Sequence, residues 1–413
     1  MIENKDKYYF QCTNCKATYR ADEVQYLCPE CAKGNSLDSP PKGVLKALYD
    51  YDNISKNSNF KILKETGFID VLPIDSSESL PNLKIGNTPL YLIKSLDKEK
   101  LPFQLYLKDD SQNPTFSFKD RASALVSAFA KEQDIDTIVA ASTGNAGSSL
   151  AGICASQNQK AIILVPESAP KAKLTQIVMY GAGIVPVRGN YDDAFDLSIK
   201  ASEEFGWYNR NTAYNPFTIE GKKTVSFEIY EQLGLDIPDR IFVPVGDGVI
   251  ISGVYKGFED LLKLKIIDKM PVIVAVQAKD SDNLVRNIGN SGFEIRKSHT
   301  IADSISVDIP RNFYMARDFI KKYNGETLTV EDKDILKASS LLAKNTGLFA
   351  EPAAATAFAG LLSYYSTKKL NTGSKNLVLL TGSGLKDINS VQGLIDIPKS
   401  ISPNITELKK LIK

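Results

Sequence analysis

Short runs of apolar, largely β-branched residues, set apart by stretches of helical periodicity, constrain the fold of this chain more than any other feature. The runs are Asp136–Ala140, Ala161–Val165, Arg240–Pro244, Pro271–Val276 and Asn376–Leu380. Each is nearly continuous in apolar residues, as a strand covered on both faces requires. Helical patterns such as Ala169–Ala182 and Gly221–Gly234 lie between them. This alternation predicts an α/β fold with parallel-rich sheets. In open sheets of that class, ligands bind at the carboxyl ends of the strands. Chemistry is therefore expected in the loops that directly follow strands.

Three such loops carry suitable residues. Ser142-Thr143-Gly144-Asn145-Ala146-Gly147 follows Thr137–Ala141. Small side chains at a helix start gather backbone N–H groups and hydroxyls, a seat for a carboxylate. Asn145 can hold a phenolic oxygen there, although plain helix capping by Ser142 or Thr143 accounts for part of the same pattern. Gly246-Asp247-Gly248-Val249-Ile250 follows Ile241–Val245. Its glycines let the backbone curl around a phosphate at the start of a helix expected over Val249–Leu262. It lacks the Gly-Lys-Ser/Thr of a Walker A loop, and Ile251 stands where a dinucleotide fingerprint needs its third glycine. The Asp247 carboxylate repels phosphate, so it is expected to cap the helix or point away. Thr381-Gly382-Ser383-Gly384 follows Leu377–Leu380. A hydroxyl here can bond a pyridine nitrogen without holding it protonated; a turn with a helix cap is the structural alternative.

Lys119 lies in Asn113-Pro-Thr-Phe-Ser-Phe-Lys-Asp-Arg121. A neutral lysine amine is the nucleophile that captures an aldehyde cofactor. The Ser, Thr and Phe residues around it suit a partly dry site that lowers an amine pKa. The same run also reads as a helix start with Ser117 as N-cap and Asp120 at the third position.

The amino terminus carries Cys12-x-x-Cys15 and Cys28-x-x-Cys31. Two such knuckles close a tetrahedron of thiolates around a structural zinc. Four thiolates leave no open position, so the metal stabilises and does not catalyse. The spacing is complete within the segment, which predicts a separable module. The Gly, Ser and tandem Pro of Lys33–Pro41 mark a linker, with the boundary near residue 43. Cys154, in an apolar stretch, is expected to be a buried helix residue.

The bulk composition narrows the class. A chain of 413 residues exceeds one simple core. Fifty basic against 49 acidic residues leave a net charge of +1, which gives nucleic acid or a membrane surface no electrostatic footprint. No apolar run approaches the roughly 20 residues that span a bilayer. The amino-terminal MIENKDKYYFQC has no apolar signal core, and a cytoplasmic location is expected. The lone histidine, His299, sits among polar loop residues and leaves a multi-histidine metal site without ligands.

Lysine, Asn loop, Gly loop and hydroxyl loop occur in an order that resembles the fold-type-II pyridoxal-phosphate (PLP) enzymes, from about Ile85 to Leu394. The tighter similarity is to threonine synthases. It is carried by Ile85-Gly-Asn-Thr-Pro-Leu90, the Asn113–Arg121 run, Asn215-Pro-Phe-Thr-Ile-Glu-Gly-Lys-Lys-Thr224, Ile301-Ala-Asp-Ser-Ile305, Glu351-Pro-Ala-Ala-Ala355 and Thr381–Asp387. Zinc-ribbon amino termini also occur on some threonine-synthase-like proteins. The resemblance implies a zinc-ribbon module over 1–43 and a two-part PLP-dependent body over 44–413, with the smaller α/β part near 125–220. It implies that Lys119 carries the cofactor aldehyde and that Asn145 meets the ring oxygen. Ser142, Thr143 and Gly144 would take the substrate carboxylate. Gly246, Asp247, Gly248, Val249 and Ile250 would surround the cofactor phosphate, and Thr381 or Ser383 would face the ring nitrogen. A homodimer acting on a small amino-acid substrate is expected.

The chain departs from the threonine synthase pattern at four positions: Phe116 for Gly, Thr218 for Arg, Lys222 for Gln and Ser383 for His. The missing Arg bears on a phosphorylated substrate, whose dianion pairs best with a guanidinium. Lys222, placed in the first turn of a helix from Glu220 to Leu233, is the expected substitute, with Lys171, Lys173 and Arg210 as others; a plain solvated surface charge is the alternative reading of each. Three functions stay open. One is threonine synthase, converting O-phospho-L-homoserine and water to L-threonine and phosphate. The second is a PLP-dependent β-elimination or β-replacement enzyme acting on serine, threonine, phosphoserine or diaminopropionate, of ammonia-lyase or cysteate-synthase type. The third is a catalytically dead, partner-binding version of the fold.

Overall fold

The structure is a computed structural model that describes residues 7–36, 38–394, 397 and 399–412. Met1–Asp6 of the amino terminus and Leu37 of the expected linker lie outside the described residues. Strands β1 (Tyr8–Cys12), β2 (Thr18–Arg20) and β3 (Leu45–Tyr49) form an antiparallel sheet in the order β2-β1-β3. Strands β4 (Leu90–Leu96) and β5 (Glu99–Asp109) are an antiparallel pair. Strands β6 (Thr137–Ala141), β7 (Lys160–Pro166), β8 (Gly183–Val187) and β9 (Tyr208–Asn209) make a wholly parallel sheet, ordered β8-β7-β6-β9. Strands β10 (Arg240–Pro244), β11 (Val272–Ala278), β12 (Glu326–Val330) and β13 (Lys375–Leu380) join the β4–β5 pair in a second sheet, ordered β12-β11-β10-β13-β5-β4 and parallel except at that pair. This is the α/β, parallel-rich architecture the apolar runs predict.

Each of the five runs is a strand, with ends within two residues of expectation. All five lie inside their sheets, as does β5, and β6 is buried at every position. The strands that sequence reading passes over lie mainly at edges or are very short: β8 and β12 are half exposed, and β9 has two residues.

The cysteine segment pairs and packs with residues beyond the expected boundary. Strand β3 pairs with β1 along its length, so the sheet continues past residue 43 to Tyr49. One buried cluster contains Phe10 and Tyr49 from this segment together with Phe118, Phe217 and Val243 from the rest. The Phe10 and Phe217 rings stack at 5.9 Å, and Tyr26 stacks on Tyr214 at 4.5 Å.

Two helices cross behind the site. Lys119–Glu132 carries the expected cofactor lysine, and Phe217–Gln232 carries Lys222. They approach so closely that a Cβ at Gly221 would lie 2.2 Å from the Arg121 carbonyl oxygen. Glycine at that crossing is a packing requirement.

Candidate active site

Lys119 is the first residue of its helix, and its neighbours fix it there. The Arg121 guanidinium donates to both Asp110 oxygens, at 2.6 and 2.9 Å, and to both Glu228 oxygens, at 2.6 and 2.8 Å. Such bidentate pairs are geometrically specific. Asp110 in turn accepts from the Thr88 hydroxyl at 2.7 Å, and Asn113 accepts from the Gly86 N–H at 2.9 Å. The Ile85–Leu90 motif thus braces the lysine segment. Asp120 accepts the Thr115 N–H at 2.7 Å, and the Phe118 N–H donates to Thr381 O at 2.9 Å. Ser117 does not cap the helix. Phe118 holds the N-cap position, and the buried Ser117 hydroxyl has no partner among the described residues.

A cavity of about 630 Å³ opens in front of Lys119. It is large enough for a cofactor with a substrate. Of the residues expected from sequence, it brings together Lys119, Ser142, Thr143, Gly144, Asn145, Lys222 and Asp247. Burial lowers the Lys119 amine from its ordinary value, while Glu351 acts in the opposite sense. Gly144 holds the N-cap position of the helix Asn145–Gln157 without a side-chain cap, which leaves that amino end facing the cavity.

Of the glycine turn only Asp247 lines the cavity; Gly246, Gly248, Val249 and Ile250 do not, and the helix Val249–Lys263 begins there. Gly248 takes the N-cap position with φ of 83°, a conformation that favours glycine. Asp247 does not cap that helix. Its carboxylate accepts the Arg311 N–H at 3.2 Å and lies on the cavity wall, and burial raises its pKa. Thr381 and Ser383 are not among the residues that line the cavity; their backbone bonds Phe118 and Phe116 of the lysine segment. Thr381 is buried, and its carbonyl oxygen accepts the Phe118 N–H. The Ser383 hydroxyl accepts from the Leu385 N–H at 3.3 Å.

Lys222 is placed differently from expectation. The helix starts at Phe217, not Glu220, so Lys222 sits in its second turn. Lys222 is only 2% exposed and donates to Thr218 O at 3.2 Å. Lys171 and Lys173 are exposed, and Lys173 pairs with Asp303 at 2.8 Å.

The structure adds residues that the local motifs did not assign. Glu351 is buried, and its oxygens accept from the Asn145 amide at 3.0 and 3.1 Å. Burial raises its carboxyl, and Lys119 opposes that shift. Lys386 donates to the Ser148 hydroxyl at 2.8 Å, and burial brings its amine down to about 8. Arg210 leaves β9 and enters the cavity wall. Glu351 and Lys386 belong to motifs quoted above, but only the fold brings them to Lys119.

The four amino-terminal thiols lie within 4.8 Å of one another and can hold a metal ion. Cys12 and Cys31 are 3.7 Å apart, as are Cys15 and Cys28. A tetrahedral thiolate site with metal–sulfur bonds of about 2.3 Å has edges of about 3.8 Å. The Tyr19 hydroxyl lies 3.0 Å from Cys28 Sγ. Cys154 is buried in its helix and His299 is exposed, as the sequence predicts. Among the described residues, no helix is long and apolar enough to cross a membrane.

Residues 82–382 match the pyridoxal-phosphate dependent enzyme family. A threonine synthase of Methanocaldococcus jannaschii is 35% identical, over 98% of this chain and 99% of the relative. One from Methanosarcina acetivorans is 32% identical, over 98% of both chains. Among solved structures, threonine deaminase isoform 2 of Solanum lycopersicum superposes with a TM-score of 0.64 at 23% identity, covering 75% of this chain and 88% of that one. That likeness shows the fold. The chain belongs to the pyridoxal-phosphate-dependent enzymes and, within them, to the threonine synthase family.

Proposed function

We propose that this chain is a PLP-dependent threonine synthase that converts O-phospho-L-homoserine and water to L-threonine and phosphate. The observation that carries the reading is the likeness to threonine synthases over nearly the whole chain, cysteine module included. The residues fit the cofactor: a buried amine with a lowered pKa, an asparagine beside it, and a glycine turn at a helix start. When bound, the cofactor supplies an electron sink for carbanions.

The protein's own groups do the rest. Lys119 would hold the cofactor aldehyde and, when free of it, would move protons at the substrate Cα and Cβ; burial lowers its amine pKa and so favours the neutral form that this work needs. Ser142, Thr143, Gly144 and the helix amino end orient the substrate carboxylate. Asn145 meets the ring oxygen, and Glu351 holds the Asn145 amide in place. The backbone from Gly246 to Ile250 receives the cofactor phosphate, with Asp247 turned to Arg311. The Thr381 hydroxyl would serve the ring nitrogen.

The metal held by Cys12, Cys15, Cys28 and Cys31 is zinc, in a structural role. Reduced thiols suit a cytoplasmic location. The exposed Phe116, Phe349, Leu385 and Ile388 leave apolar surface around the Thr381 loop, of the kind a second copy covers in a homodimer.

Purified enzyme incubated with O-phospho-L-homoserine should release phosphate and threonine in equal amounts, and Lys119→Ala should release neither. Ammonia from serine or threonine without phosphate from phosphohomoserine would replace the synthase by the elimination enzyme.

A further inference from the structure

Resting on the synthase reading, we infer that Arg210 and Lys222 together form the seat of the substrate's phosphate group. Thr218, where the family resemblance expects an arginine, cannot do so. It is buried, and its hydroxyl donates to Asn215 O at 2.8 Å.

Arg210 is 1% exposed and follows directly on β9. Its Nε donates to the Ser123 hydroxyl at 3.1 Å and its Nη1 to the Thr212 hydroxyl at 3.1 Å. Its Nη2 is buried with no partner among the described residues. Lys222 has a single hydrogen bond, to a carbonyl oxygen. Neither cation forms an ion pair with a carboxylate among the described residues. Both line the cavity in front of Lys119.

Elsewhere in this chain buried cations are paired. Arg121 has Asp110 and Glu228, and Lys223 and Lys256 have Asp260. Burying a charge without a partner is strongly unfavourable. Burial lowers both Arg210 and Lys222, and Arg210 lowers Lys222 further. Asp247 is the carboxylate that attracts Lys222, and its own charge is disfavoured by burial. Two adjacent, uncompensated cations on a ligand cavity match a phosphate dianion, with the free Nη2 ready to donate. On the synthase reading the cofactor's phosphate goes to the helix start at Gly246–Ile250, which leaves the Arg210–Lys222 pair for a second anion. The second anion is the one the substrate brings.

Isothermal titration of inorganic phosphate into the holoenzyme reads the site without turnover. Arg210→Gln and Lys222→Gln should each weaken phosphate binding about tenfold or more, equivalent to about 1.4 kcal/mol. Each should raise KM for O-phospho-L-homoserine more than it lowers kcat. Arg210→Lys should recover part of the loss. Cofactor affinity, followed by absorbance as PLP is titrated into apoenzyme, should stay as in the wild type. Unchanged phosphate affinity in both Gln variants overturns the assignment. Weakened cofactor binding with intact phosphate binding also overturns it and gives the pair to the cofactor's phosphate. If the wild type binds phosphate through Arg210 yet releases none from O-phospho-L-homoserine, the anion site stands and the synthase reading falls.

Discussion

Removing the metal tests whether the cysteine module and the catalytic body act as one unit. Cys28→Ser deletes one of the four thiols, and so short a segment has no core of its own once the metal is lost. Its contacts with the body should then go as well. They include Tyr26 on Tyr214 at 4.5 Å, Tyr8 on Phe217 at 5.7 Å and Phe10 on Phe217 at 5.9 Å. The Asn209 N–H also donates to the Tyr26 hydroxyl at 2.8 Å. Aromatic pairs contribute about 0.5–1.5 kcal/mol each beyond their burial, and a hydrogen bond about 1 kcal/mol, so about 4 kcal/mol in all. At about 2.1 cal/mol/K of unfolding entropy per residue, that loss lowers Tm by roughly 5 °C in a chain of this length. The affected residues, Asn209 to Phe217, include Arg210 and begin the helix of Lys222. KM for O-phospho-L-homoserine should therefore rise. Scanning calorimetry, metal analysis and steady-state kinetics on the variant and on chelator-treated wild type supply the readings. A metal-free protein with unchanged Tm and unchanged KM would refute the coupling and restore a separable module.

Three further outcomes follow from single residues. Thr381→Ala should slow turnover about tenfold, the loss of one hydrogen bond to a buried ring, while Ser383→Ala should cost less because that hydroxyl already serves Leu385; equal small losses would mean that neither touches the cofactor. Burial pushes the Glu228 carboxyl up, but Arg121 and Lys108 hold it down to about 2, so its stabilisation is present above the ordinary glutamate value near 4.3 and is lost as pH falls toward 2. Urea midpoints should drop between pH 6 and pH 3 in the wild type and drop less in Glu228→Gln; parallel curves would contradict the pairing. Phe116 stands at φ of 67°, which costs an L-residue about 1 kcal/mol, so Phe116→Gly should keep or raise Tm, and a clear fall would show that its ring contributes more than its backbone costs.

What could be read from the sequence was what local chemistry determines. Interior strands announce themselves because both faces are apolar, and β6, β10 and β13 were legible for that reason. The cysteine pairs and Lys119 carry their chemistry within a few residues of one another. Edge strands do not, and two-residue β9 has no pattern at all, yet it delivers Arg210. The Lys222 helix starts earlier than its pattern from Glu220 predicts, because Phe217 and Ile219 continue its apolar face ahead of the Glu220-Gly221 pair. Phe116 was legible as a departure from the family pattern, but only its backbone angle explains why glycine suits the position. Glu351 meets Asn145 across 206 residues of chain, a partnership that no local spacing can reveal.

The central claim is that Lys119 carries the cofactor in front of the Asn145 helix. Purified protein should be yellow, and borohydride should bleach it by fixing the cofactor to its lysine. Mass mapping of the reduced protein should then place a single pyridoxyl adduct on the peptide containing Asn113–Arg121, at Lys119. An adduct on Lys222, Lys386 or any other lysine, with Lys119 unmodified, would contradict the account.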